Sequence, residues 1–258
     1  MHLPRELIDE IICYLPIDEP QTLRNCSLVA KSWVHRSQKR LFETVTINKS
    51  THSSWVDRIL PGNIELLHHV RSLTYTVCGI VQLRYPTCRI DSLSDYLPSF
   101  RNLESLTLSS MDLRSDISQQ LENFSTFQHT LSSLSLRSCH MSSGTLVTIV
   151  NYFPSLADLQ LRAPVRAVDL EPIPALTRPL RGRLCFQGIG SRQLQILHPL
   201  SDLPPELDEL VVAARFSTSG AYDHLVTTYA GNVKRLRLLR GFRRKLLHFP
   251  RVSHKTRR

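Results

Sequence analysis

His68 and His69 are neighbours, Glu6, Asp9 and Glu10 crowd one short stretch, and six cysteines are scattered through 258 residues; these are the side chains whose types could do chemistry. Adjacent residues point to opposite faces of a strand or lie about 100° apart on a helix, so the two imidazoles are poorly placed to share a metal ion and read as a solvent-facing pair. Cys13, Cys26, Cys78, Cys88, Cys139 and Cys185 form no C-x-x-C pair and no Cys/His group at zinc-ligand spacing. They read as reduced, small hydrophobes of a core. The three carboxylates suit the positive end of a helix dipole better than acid–base work. There is no G-x-S-x-G, no H-E-x-x-H and no phosphate-binding glycine loop, and Gly188-Ile189-Gly190 is too short to be more than a turn. The sequence predicts no catalytic residue, no metal site and no cofactor.

What remains is charge and pattern. The formal net charge of +10 is local: eleven Lys and Arg lie between Lys234 and Arg258, and no acidic residue follows Asp223. Only Phe242 and Phe249 interleave with the later part of that run, so 241–258 reads as a solvated basic tail, and nucleic acid is disfavoured as a specific partner. No apolar run approaches the roughly 20 residues that cross a bilayer. The N-terminus lacks a basic region followed by an apolar one, which leads to the expectation of a cytoplasmic or nuclear setting. The sequons at Asn48 and Asn123 are discounted on the same ground.

Two kinds of element must position whatever function there is. Residues 1–42 read as three short helices: the first from Pro4 to near Pro16, the second after Asp18 as N-cap, the third capped by Ser32 with Trp33, Val34 and Leu41 on its apolar side. In the first, Leu3, Leu7, Ile8, Ile11, Ile12 and Leu15 sweep about half the circumference, where packing onto one domain needs roughly 100°. The spare arc calls for a second partner.

From Phe42 onward a short strand-like pattern recurs, clearest in "LESLTL" (103–108) and "LSSLSL" (131–136). "FETVTI", "VRSLTY", "LADLQL", "RGRLCF", "LDELVV" and "VKRLRL" share its register, with fourth positions at Val45, Leu73, Leu106, Leu134, Leu159, Leu184, Leu210 and Leu236. Helical spacing between strands is best seen over 143–153, with Ser142 or Ser143 as cap, and Leu97-Pro98, Phe153-Pro154 and Leu203-Pro204 end three such segments. One strand plus one helix per unit predicts an α/β fold: a small three-helix domain over 1–42, then a curved parallel solenoid over 43–240. The repeats resemble leucine-rich repeats, with "LSSLSLRSC" and "LESLTLSSMDL" nearest the pattern.

The first forty residues resemble an F-box. "LPRELIDEIICYL" is similar to its opening Leu-Pro-x-Glu-Leu with the following Ile and Tyr-Leu, "CSLVAKSW" (26–33) to its Cys-x-x-Val-x-Lys-x-Trp, and "LF" at 41–42 to its close. This resemblance implies a substrate receptor of a Skp–cullin–F-box ubiquitin ligase, bound to the Skp adaptor subunit and through it to a cullin, with an unknown protein substrate on the repeats. It implies adaptor contacts at Leu3, Pro4, Glu6, Leu7, Ile8, Ile11, Leu15, Val29, Lys31 and Trp33, Trp33 serving equally well as a core aromatic. The alternatives are a protein-binding scaffold without ubiquitin transfer, or a tail that binds nucleic acid or an anionic surface.

If fourth and sixth strand positions face the core, the third, fifth and seventh face the open concave side. That side begins neutral, with Thr44, Thr46, Ser72, Thr74, Ser105, Thr107, Ser133 and Ser135, and then turns basic at Arg137, Arg162, Arg183, Arg235 and Arg237, with Asp158 and Glu209 as counter-charges. The five arginines are the expected substrate contacts, suited to an acidic or phosphorylated segment.

Overall fold

A computed structural model describes residues 4–16, 19–48, 51, 54–55, 64–76, 97–113, 121–163, 165–166, 172–188, 200, 206–214, 229, 233–240 and 243–246. The chain is mixed α/β and divides into two compact units, one of residues 1–132 with 153–155, the other of 133–152 with 156–258.

The first unit opens with α1 (Arg5–Tyr14), α2 (Pro20–Val29) and α3 (Lys31–Phe42). Their starts differ from the sequence expectation. Pro4 is the N-cap of α1, its extended backbone leaving its carbonyl to accept from the Ile8 amide at 3.2 Å. Glu19 caps α2, with Pro20 at the first helical position where its missing N–H costs nothing; Asp18 lies outside the described residues. Ala30, not Ser32, precedes α3, because α2 and α3 are separated by that single extended residue. Ile8, Ile12 and Leu23 form the buried centre of the bundle, with Leu15, Trp33 and Leu41 packed around it, and Arg36 Nε meets Asp9 Oδ1 at 2.6 Å across α3 and α1. Truncating Ile12, 1% exposed, to alanine is expected to cost about 2–5 kcal/mol. Leu7→Ala on the outer face is expected to stay within about 0.5 kcal/mol, and denaturant unfolding of the two variants checks the contrast.

Behind the bundle, β1 (Thr44–Asn48), β2 (Ser72–Thr76) and β3 (Ser105–Ser109) run parallel, with Val45 opposite Leu73 and Leu73 opposite Leu106. Phe127 stacks on Phe153 with ring centres 6.4 Å apart, and Phe124 leans on both.

The second unit holds five more parallel strands: β4 (Ser133–Arg137), β6 (Asp158–Arg162), β8 (Arg181–Gln187), β9 (Glu206–Ala214) and β10 (Val233–Arg240). Their fourth positions, Leu134, Leu159, Leu184, Leu210 and Leu236, lie side by side and are buried, as the repeat register predicts. A two-stranded ribbon, β5 (His140–Met141) with β7 (Val165–Arg166), follows the ends of β4 and β6. Residues 243–246, inside the stretch expected as a tail, form β11 (Arg243–Leu246), which pairs antiparallel with β10.

Among the described residues the connections between strands differ from one unit to the next. α5 (Ser143–Tyr152) is the one connection of regular helix length among the described residues, capped where Ser142 Oγ accepts the Thr145 amide at 3.1 Å. The described residues also include one helical turn, α4 (Ile64–Leu67), and 3-10 turns at Leu97–Ser99 and Ser125–Phe127. Residues 172–180 contain no helix, since Pro172, Pro174 and Pro179 remove donors and push their predecessors to extended backbone. Leu203-Pro204 lies outside the described residues.

The residue after the strand is left-handed in four units: Ser110 (φ 58°), Ser138 (51°), Ala163 (44°) and Gly188 (66°). The amides of Ser138, Ala163 and Gly188 each donate to the carbonyl at the seventh position of the next strand, Arg162, Gln187 and Ala213, at 2.7, 2.7 and 2.9 Å. Gly182 (φ 75°) enters β8 at a register shift, where a Cβ would overlap the Ala157 carbonyl oxygen and lie 3.0 Å from its carbon.

Candidate protein-interaction site

Two surfaces carry the residues singled out in the sequence. On the helical bundle, the inward stripe of α1 is Ile8 and Ile12, which leaves Leu7 (45%) and Ile11 (41%) in solvent. Tyr14, Leu28 and Val29 are also exposed, so α1 and the end of α2 present large apolar side chains with nothing of the described chain over them. Pro4, Glu6 and Lys31 are exposed as well. Three of the ten expected adaptor contacts point elsewhere: Ile8 is sealed in the bundle centre, and Leu15 and Trp33 are half-buried against it. Leu3 lies outside the described residues. Tyr14 and Leu28 were missed, although Leu28 sits five residues after Leu23, about 140° round the helix, and could not share its inward face.

On the second unit, the exposed sheet face has its own charge order. Glu209, buried at the third position of β9, receives Arg183 Nε at 3.1 Å and Arg237 Nε at 2.7 Å. Arg183 Nη1 also lies 3.9 Å from Asp158 Oδ2, the oxygen that accepts from Gln160 Nε2 at 2.8 Å and Ser133 Oγ at 3.3 Å. Arg183 and Arg237 are therefore committed to carboxylates of their own sheet. Arg137 and Arg162, on β4 and β6, have no carboxylate partner among the described residues, and Arg235 is exposed beside Glu209 in register.

The fifth positions depart from the expected open face: Ser135, Cys185 and Val211 are buried. At Ser135 and Cys185 the seventh residue of the strand folds back over the fifth, as Arg162 does over half-buried Gln160. Arg137 Nε donates to Ser135 Oγ (3.4 Å), Arg162 Nη2 to Gln160 Oε1 (3.2 Å) and Gln187 Nε2 to Cys185 Sγ (3.6 Å), laying long side chains over the row between. Burial pushes the Cys185 thiol up from its ordinary pKa, so it stays a neutral thiol. In the first unit Thr107 is likewise buried, whereas Thr44 and Thr46 are exposed.

Among the described residues no group of three or more His, Cys, Asp and Glu is placed to hold a metal ion. His69 instead packs edge-on against His35 at 5.6 Å and lines a cleft of about 230 Å³ with Lys39, His68, Arg71, Asn102, Glu104 and Thr130. Burial, then the charges of His35, Lys39 and His68, lower its pKa below the usual 6.5, while Arg71 on the same cleft is paired with Glu104. A histidine with a lowered folded pKa binds fewer protons folded than unfolded between the two values, so stability rises with pH through that window. The melting temperature is expected to fall on acidification from above pH 6.5 to below it, and His69→Asn to flatten the fall; equal slopes would dismiss the contribution.

Among the described residues no helix is long and apolar enough to cross a membrane. No family model matches the chain, and no curated protein is matched by it.

Proposed function

We propose that this chain is the substrate receptor of a Skp–cullin–F-box ubiquitin ligase, docking on the Skp subunit through its helical bundle and holding a protein substrate on its strands. The observation that carries the reading is the divided first helix. Ile8 and Ile12 satisfy the bundle, yet Leu7 and Ile11 on α1, like Leu28 and Val29 at the end of α2, stay in solvent, on the stretches whose sequence resembles the F-box. Exposed apolar side chains clustered on one small bundle mark a surface that another protein covers. The trimmed set of adaptor contacts is Leu3, Pro4, Glu6, Leu7, Ile11, Val29 and Lys31, joined by Tyr14 and Leu28.

On this reading the chain supplies no reacting group. It raises the effective concentration of a substrate lysine near a ubiquitin-charged enzyme, and geometry is its whole contribution. Co-expression with the Skp subunit is expected to yield a stable complex, and addition of the cullin, its RING partner and a charged conjugating enzyme to transfer ubiquitin to a co-captured protein. A monodisperse chain indifferent to the Skp subunit at micromolar concentration would reject the reading. Capture without transfer would leave the scaffold alternative in its place.

A further inference from the structure

We propose that Arg137 and Arg162 form a subsite for a phosphate monoester carried by the captured protein, an inference that rests on the substrate-receptor reading above. The two residues stand directly opposite each other in adjacent parallel strands. Neighbouring strands lie about 4.8 Å apart, and like charges in facing positions repel. Among the described residues neither arginine is ion-paired. Glu209 holds Arg183 and Arg237, Asp158 Oδ2 is shared by Arg183, Gln160 and Ser133, and Asp158 meets Arg162 through the Gln160 amide and not directly, its Oδ1 being buried without a hydrogen-bond partner. The next two residues of the same row, Gln187 and Ala213, carry no charge.

Both guanidinium groups are also held in place. Each is half-buried and hydrogen-bonded back to the fifth position of its own strand, Arg137 to Ser135 and Arg162 to Gln160, so little side-chain freedom is left to lose when a ligand binds. Those acceptors are neutral and use one N–H of each fork. Arg162 Nε is buried without an acceptor among the described residues. Burial and the neighbouring Arg162 charge lower the Arg137 pKa, which fits an uncompensated pair. One carboxylate is matched by one guanidinium fork, whereas a phosphate monoester offers three terminal oxygens and about two charges, enough for two forks at once. Two facing arginines, pre-positioned and unneutralised, therefore select phosphate over carboxylate.

The test uses the full chain and four probes: inorganic phosphate, a random-sequence peptide library with one central phosphoserine, the same library unphosphorylated, and a short single-stranded RNA. The phosphoserine library is expected to bind and inorganic phosphate to compete with it, while the unphosphorylated library binds at least about tenfold more weakly. Arg137→Gln with Arg162→Gln is expected to remove that difference, and to hold or raise the melting temperature because a repulsion is relieved. Arg181→Gln with Lys234→Gln, an equal loss of two exposed charges on the same unit, is expected to leave binding within about twofold. Equal binding of both libraries overturns the proposal, as does an equal loss in the R181Q/K234Q control, and so does RNA binding tighter than the phosphopeptides with the same dependence on Arg137 and Arg162. Skp capture is scored on the same preparations. Phosphopeptide binding lost with Skp capture intact removes the subsite alone, and the reverse pattern removes the receptor reading and keeps the subsite.

Discussion

Replacing Leu7 and Ile11 together by aspartate is expected to abolish capture of the Skp subunit while leaving the fold of the chain unchanged. Burying a fully exposed leucine or isoleucine side chain contributes about 1.5–3 kcal/mol; Leu7 and Ile11 have a little over two-fifths of their surface left to bury, so the loss of both is worth about 1.3–2.6 kcal/mol, roughly tenfold to eightyfold in affinity. The aspartates add the cost of pushing two carboxylates against an apolar surface. Both positions are more than two-fifths exposed and outside the Ile8–Ile12–Leu23 cluster, so the bundle keeps its centre and α1 its hydrogen bonds. The comparison variant is Ile12→Asp, which places a charge in that centre and is expected to lose Skp capture and the bundle's cooperative melting together. Titration calorimetry with circular-dichroism melting separates the two. A folded L7D/I11D chain that still binds the Skp subunit would show that the exposed stripe is not the docking surface.

Gly182→Val is expected to destabilise the second unit by about 3 kcal/mol or more, the largest effect of any single substitution outside a hydrophobic centre. A left-handed backbone costs an L-residue about 1–2 kcal/mol before any contact is counted, and here the added Cβ would run into the Ala157 carbonyl. That carbonyl accepts the Arg183 amide at 2.6 Å, the bond that seats β8 on the preceding strand end and brings Arg183 to Asp158 and Glu209. The backbone of β8 has to yield, and with it the register shift toward β9. Denaturant unfolding reads the result; a variant within about 0.5 kcal/mol of the parent would mean that the bulge relaxes freely.

The strands were legible because their signal is a period of two with one face dry. Val45, Leu73, Leu106, Leu134, Leu159, Leu184, Leu210 and Leu236 are buried, all but the last of them 2% exposed or less. Helix starts were less so: Pro4, Glu19 and Ala30 cap through backbone geometry alone, with no side-chain hydrogen bond to betray them in the sequence. Of the connections, the one with the clearest helical spacing, 143–153, is a helix over Ser143–Tyr152; the segment expected to end at Leu97-Pro98 lies outside the described residues but for its last residues, a 3-10 turn at Leu97–Ser99. On the charged face, residue types gave the five arginines, but only the structure tells Arg183, opposite Glu209, and Arg237, which reaches Glu209 diagonally, from Arg137 and Arg162, which face each other. On α1, the resemblance assigned Ile8 outward; the bundle needs it inward, since Ile8 and Ile12 are one turn apart on the stripe that meets Leu23.

The recurring left-handed residue divides every unit that has it into two parts of different tolerance. Strand and kink form a cassette of constant length, since Ser138, Ala163 and Gly188 all reach the same carbonyl on their neighbour. Downstream of the kink the path varies, with α5 in one unit and the proline-rich 172–180 in another, held to each other by side-chain bonds from Asn151 and Arg178. Foreign segments should graft into those downstream stretches without disturbing the charged face, whereas one residue inserted inside the cassette would turn that face inside out.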